Sequence, residues 1–147
     1  MIDPTTFSLT LADETATAHL MADLALLISP GDVITLSGDL GAGKTAAARA
    51  MIRYLAGDEA LEVPSPTFTL VQGYDLPPFP LVHADLYRVS DPSELEEIGL
   101  SPLPEATVVL IEWPERAPPV ATRPSPLLGA RSLGGSVAVV QRCLPTG

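Results

Sequence analysis

Residues 6–11 alternate polar and apolar side chains, with Phe7, Leu9 and Leu11 on one side, which predicts a half-buried strand. Asp13 suits the cap of a following helix. In that helix Leu20, Leu24, Leu27 and Ile28 recur at helical spacing, with Thr15, His19 and Asp23 on the opposite face, and Ser29-Pro30-Gly31 ends it. Val33-Ile34-Thr35-Leu36-Ser37 reads as a short buried strand. A glycine-rich turn at 38–43 follows, then a second helix from Lys44 to about Leu55, with Ala48, Met51, Ile52 and Leu55 on one face and Gly57 as its stop. Residues 67–74 have strong β propensity, and three prolines make 75–80 a turn. Leu81-Val82-His83-Ala84 is another short strand, ending in Asp85. Residues 93–98 form a short helix with Glu94, Glu96 and Glu97 outward. The strongest buried-strand run is Thr107-Val108-Val109-Leu110-Ile111, closed by Glu112-Trp113-Pro114. Strand, glycine loop and helix make one half of an α/β unit.

Beyond Glu115 the pattern changes. Residues 116–147 hold five prolines, four glycines, four arginines and no acid. Composition argues against regular structure there until 136–141, which suits an edge strand. The expected organisation is one domain over 1–116, followed by an atypical, weakly structured segment at 117–147. The loss of every acidic residue after Glu115 is what a strongly diverged end or a shifted reading frame in a GC-rich gene produces. Sequencing the transcript through this region separates the two.

At 147 residues the chain is one domain's length. With 46% hydrophobic residues it has enough apolar material for a core. The longest apolar runs are about six residues, against the ~20 that span a bilayer. The first residues lack the basic start and apolar middle of a signal peptide, and Cys143 is the sole cysteine, so no internal disulfide framework is expected. The expectation is a cytoplasmic protein without a membrane association. The net charge is −10, and residues 1–115 set four basic groups against all 18 acids. So acidic a body is unsuited to gripping nucleic acid directly, and no direct DNA binding is expected. Lys44 is the only lysine in the chain.

That lysine belongs to Gly38-Asp39-Leu40-Gly41-Ala42-Gly43-Lys44-Thr45, which fits GxxxxGK[ST] between a strand and a helix. Glycines let backbone N–H groups turn inward onto phosphate, and the helix start adds positive potential. Lys44 sets a charge on the β- and γ-phosphates, and the Thr45 hydroxyl is a hard oxygen ligand for Mg²⁺. Such a site also needs a carboxylate near the cation and a group that positions water. Asp85 and Glu112 both end apolar strand runs, on the sheet edge where α/β sites form. One would hold the cation and the other would orient or deprotonate water. Thr67, after Ser65-Pro66, reads either as a switch-like loop on the γ-phosphate or as a plain strand entry. His83, near Asp85, reads either as catalytic or, as is commoner for a lone strand histidine, as packed and hydrogen-bonded; His19 reads as solvated and Cys143 as incidental. Trp113 is either a core anchor or an aromatic near the nucleotide.

Taken together, GDLGAGKT at 38–45, SPTFTLV at 65–71, HADLYR at 83–88, ELEEIGL at 94–100 and IEWPER at 111–116 resemble the TsaE (YjeE) family, in its order and approximate spacing. The resemblance covers about residues 7–116. It implies a single-domain P-loop NTPase fold, with a mostly parallel central sheet flanked by helices. It also implies ATP and Mg²⁺ as cofactors and an ATPase role beside the TsaB–TsaD pair, which makes threonylcarbamoyladenosine in tRNA. Contact with tRNA would then be indirect. By the same resemblance, residues 38–45 bind phosphates and Thr45 and Glu112 coordinate Mg²⁺. Asp85 activates water or organises the cation. Thr67 lies in a switch-like loop, Trp113 sits near the nucleotide and Thr17 near the base. Ala84 stands where the family usually has a larger apolar residue, and the family's later strands are only faintly present.

Two other classes share the phosphate loop. A metabolite kinase usually carries an arginine-bearing lid, whereas the body beyond the phosphate-loop helix has only Arg88. A nucleotide sensor would need no hydrolysis. A GTPase is disfavoured, because no guanine-type [NT]KxD motif is present. The body offers no obvious arginine finger for the γ-phosphate beyond Arg88 as a candidate, so slow turnover alone and completion of the site by a partner are expected.

Overall fold

Three parallel strands carry the architecture: β2 (Val33–Ser37), β5 (Val108–Glu112) and β4 (Pro80–Asp85). The computed structural model describes residues 7–8, 11–38, 43–66, 69–100, 103–116, 124–131 and 139–143, with strand pairing alone for 7–8, 124–131 and 139–143. Every residue of β5 is buried, as its unbroken apolar run requires of a strand covered on both faces. Antiparallel strands extend the sheet on either side. β3 (Val71–Asp75) pairs with β4 as a hairpin across the proline turn. On the other side β7 (Val139–Cys143) pairs with β2, and β6 (Pro124–Arg131) pairs with β7. β1 (Phe7–Ser8) runs parallel to β6. The strand order is β1-β6-β7-β2-β5-β4-β3.

Side chains alternate between the two faces of the sheet. Ile34, Leu36, Leu81, Val108 and Leu110 face α1 (Glu14–Ala25) and α2 (Lys44–Ala56), which bury Met21, Leu24, Ala48, Met51 and Ile52 against them. Val33, Ala84, Val109 and Ile111 face the segment that holds α3 (Glu94–Glu97), packed through Leu86, Val89, Leu95 and Leu100. The architecture is therefore a single α/β domain with helices on both faces. The Asp13 side chain caps α1 by accepting from Ala16 N at 2.9 Å. Gly57 ends α2 in the left-handed conformation, with φ 67°. Among the described residues no helix is long and apolar enough to cross a membrane.

Three expectations need correction. The α1 stripe stops early: the N–H groups of Leu26 and Leu27 turn back to Asp23 and Leu24, which leaves Leu27 55% exposed while Ile28 stays buried. The strand expected from residue 67 begins at Val71. Leu70 has φ 66° and its N–H donates to Pro66 O at 2.7 Å, so the chain turns just before the strand. Residues 116–147 supply two strands rather than one, and β7 is interior rather than an edge strand. β2 needs a partner on the side away from β5, and β7 fills that ladder along all of Val33–Ser37. β6 tolerates its prolines at its first residue, Pro124, and at Pro126, where its register with β7 shifts between Pro124 and Gly129.

A chain ending at Arg116 would leave the β2 edge bare, with its N–H and C=O groups unpaired. It is expected to melt several degrees below the full chain and to elute as aggregate in size-exclusion chromatography. A monomeric truncation that melts with the full chain would contradict this.

Candidate functional site

The phosphate-loop helix begins without a side-chain cap. Gly43 takes the N-cap position at φ 93°, a conformation that strains any residue with a Cβ, and the chain enters α2 directly at Lys44. The first-turn N–H groups of a helix have no intrahelical acceptors, so this end is suited to an anion. Lys44 is only 5% exposed. Its Nζ donates to Gly38 O at 2.7 Å and lies 4.1 Å from the centroid of the Trp113 ring. The ammonium is thus held at the mouth of the loop by a carbonyl and an aromatic face.

Glu112 is the centre of the cluster and is 1% exposed. It follows Leu110 by two positions on β5 and so points to the face that α2 covers. Thr45 Oγ1 donates to Glu112 Oε1 at 2.8 Å. On the other oxygen, Oε2, His83 Nε2 lies at 2.6 Å. His83 is completely buried on β4, and among the described residues its Nδ1 has no partner. The two strands are in register with Asp85 opposite Glu112. Asp85 Oδ1 accepts from Tyr87 N at 2.9 Å. Burial pushes the Asp85 carboxyl above the usual carboxylate range. The Tyr87 N–H pulls the other way, Glu112 adds to the rise, and His83 and Lys44 oppose it.

Trp113 leaves β5 at φ 61°, a left-handed conformation that costs on the order of 1–2 kcal/mol for a residue with a Cβ. It is held there by its N–H on Leu36 O at 3.2 Å and by the Tyr87 ring, centroid to centroid 4.9 Å. The Arg116 guanidinium lies 5.1 Å from the Tyr87 ring. Lys44, Trp113, Tyr87 and Arg116 form a continuous stack of cation, two rings and cation.

Of the residues singled out from sequence, Gly38, Lys44, Thr45, Glu112 and Trp113 meet here, with Asp85 on the neighbouring strand. Thr17 lies in the first turn of α1, and among the described residues its hydroxyl bonds within its own helix, to Asp13 O at 3.3 Å. Asp39, Leu40, Gly41, Ala42 and Thr67 lie outside the described residues. His83 is packed and hydrogen-bonded as expected, but its partner is a surprise. Sequence reasoning named Glu112 and His83 separately and did not join them. Tyr87 and Arg116 were missed as ring partners, and only the HADLYR and IEWPER runs hinted at them. Among the described residues no three His, Cys, Asp or Glu side chains gather to hold a metal ion.

A GxxxxGK[ST] helix start against parallel strand ends, with its threonine on a buried strand-end carboxylate, defines a P-loop NTPase-type protein. A family model described as "Threonylcarbamoyl adenosine biosynthesis protein TsaE" matches residues 11–131, through the end of β6. The chain belongs to the TsaE family. It is 42% identical over 106 residues to a Rickettsia conorii protein named tRNA threonylcarbamoyladenosine biosynthesis protein TsaE, covering 72% of this chain and 60% of that one. Proteins of the same name from Rickettsia bellii and Aquifex aeolicus are each 39% identical, covering 71% and 74% of this chain and 72% and 77% of theirs. The chain thus spans about 60% of the Rickettsia conorii relative's length. The crystal structure of Bacillus subtilus YdiB superposes with a TM-score of 0.60 at 27% identity, over 90% of this chain and 82% of that one.

The raised Asp85 carboxyl gives a signed stability prediction. The folded state binds this proton more tightly than the unfolded chain does, so Asp85 favours folding most when protonated. That contribution is lost as pH rises through the carboxylate range, from the unfolded value of about 3.9 upward. Asp85→Asn keeps an acceptor for Tyr87 N and removes the buried charge. In urea denaturation the variant is expected to be more stable than the parent near pH 7, with the difference shrinking toward zero near pH 3. A variant less stable than the parent at pH 7 would contradict this.

Proposed function

We propose that this chain binds ATP with Mg²⁺ and hydrolyses it to support formation of N6-threonylcarbamoyladenosine in tRNA, acting with the TsaB–TsaD pair. The observation that carries the reading is the Thr45–Glu112 hydrogen bond, which ties the helix start after Lys44 to the end of β5. The tRNA role is supported by the names of the relatives from Rickettsia and Aquifex.

The donor set fits a hard divalent cation. Thr45 gives its hydroxyl proton to Glu112, which leaves hydroxyl lone pairs for a metal, and a carboxylate oxygen accepts more than one partner. Thr45 and Glu112 would hold Mg²⁺, directly or through water. When bound, the cation would supply positive charge to offset that of the phosphates. The backbone of residues 38–45 receives the phosphates. Lys44 exchanges the Gly38 carbonyl and the Trp113 face for phosphate oxygens. Trp113 stands beside Lys44, in position to line the nucleotide. Asp85 opposes Glu112 across the strand pair, where it can orient the attacking water or take its proton. Burial brings its proton affinity closer to that task. Thr17 and Thr67 remain the proposed contacts to the base and the γ-phosphate.

Turnover by the chain alone is slow in this reading. Arg88 is exposed, and the Arg116 guanidinium is engaged on the Tyr87 ring. An arginine supplied by a partner can be worth about 10³–10⁵ in rate. ATP hydrolysis is expected to be low for the chain alone and to rise when TsaB–TsaD is added. Glu112→Ala is expected to reduce the stimulated rate at least about 100-fold, the upper end of what outer-shell changes at a metal site cost. ATP binding with no stimulated turnover, and function retained by Asp85→Ala, would replace the ATPase with a nucleotide sensor.

A further inference from the structure

Glu112 is a buried carboxylate with one donor on each oxygen: the Thr45 hydroxyl at 2.8 Å and the His83 ring nitrogen at 2.6 Å. Thr45 belongs to the binding loop itself. His83 does not: it sits inside the sheet on β4, completely buried, with Leu110 of β5 as its register partner. A hydrogen bond to the ionised Glu112 carboxylate makes Nε2 the donor, and Nδ1 has no partner among the described residues. Among the described residues the imidazole therefore has one polar engagement, and it is with Glu112. A buried histidine serving only as core filler would gain nothing from such a place. An apolar side chain of similar volume would fill it without leaving a ring nitrogen unpaired.

We propose that His83 is a positioning residue, which fixes the Glu112 carboxylate so that Thr45 and Glu112 present their oxygens to Mg²⁺ together. The inference rests on the Mg-ATP reading and adds a residue to it. Without His83, Oε2 loses its donor in a buried setting, and the carboxylate can swing about its terminal torsion while Thr45 holds only one oxygen. With His83, both oxygens are tethered from opposite sides and the remaining lone-pair directions are set. Groups that orient metal ligands in this way typically account for about 10–100-fold in metal affinity. β4 then has two roles on one face, since His83 and Asp85 are two residues apart: one steadies the cation ligand and the other faces the chemistry.

The test uses the full chain and three substitutions at one position. His83→Gln puts an amide nitrogen near the former Nε2. His83→Asn puts one near the former Nδ1, too short to reach Glu112. His83→Leu removes the donor. ATP affinity is measured with EDTA and with Mg²⁺, and the Mg²⁺-dependent gain is the readout. His83→Leu and His83→Asn are expected to keep the EDTA affinity and to lose about tenfold or more of the gain, while His83→Gln stays within about threefold of the parent. An undiminished gain in His83→Leu, or equal behaviour of Gln and Asn, would overturn the proposal. A second measurement does not depend on nucleotide. With only two histidines in the chain, nitrogen-15 NMR of the ligand-free protein assigns the His83 proton. A slowly exchanging proton on Nε2 supports the arrangement, and a proton on Nδ1 alone overturns it. Absence of any Mg²⁺-dependent gain in the parent chain would instead defeat the Mg-ATP reading, leaving the NMR result to judge the His83–Glu112 contact.

Discussion

A single buried carboxylate organises this molecule. Glu112 lies at the end of β5, the middle of the three parallel strands, almost wholly removed from water. A carboxylate in that position is tolerable only if its oxygens are satisfied, and removing one partner of a buried pair typically costs about 3–5 kcal/mol. Its two donors come from different elements, Thr45 at the start of α2 and His83 inside β4. Satisfying Glu112 therefore fixes the phosphate-loop helix and the neighbouring strand relative to β5. The hydrogen bond to Thr45 sets where the first turn stops.

The aromatic stack does complementary work at the surface. Trp113 is held in a left-handed conformation, and its ring faces the only lysine of the chain. Lys44 is thereby kept at the loop mouth, where an unpaired ammonium would be costly to bury. Tyr87 backs the tryptophan and joins β4's exit to that of β5. Strand ends that would otherwise fray are braced by ring contacts and by Leu86 N–H on Glu112 O at 3.0 Å.

Local signals carried much of this into the sequence. β2, α2 and β5 could be read from runs of apolar residues and from one motif, because their boundaries coincide with glycines and charges. Glu112 and Asp85 were readable as strand-end carboxylates for the same reason. The His83–Glu112 bond was not, because it depends on β4 and β5 pairing with Asp85 opposite Glu112, and register between distant strands leaves no local trace. The late start of β3 was hidden by β-forming residues at 69–70 that the Leu70 turn overrides. β6 was obscured by its prolines and glycine, whose effect on a strand depends on where the ladder is interrupted. Propensity describes a residue in isolation, whereas pairing describes what its neighbours require.

The position of β7 bears on how the chain acquires its shape. β1 and β2 are near in sequence but are separated in the sheet by β6 and β7, which are synthesised after β2, β4 and β5. While the chain is emerging from a ribosome, α1, α2 and the three parallel strands can assemble, yet β1 has no neighbour to join. Its docking waits on residues more than a hundred positions downstream. Such long-range closure is slow, and the open flank of β2 is exposed in the meantime. The vulnerable interval is thus the one just before β6 and β7 arrive, when the half that carries the phosphate loop is already formed and its sheet is still open.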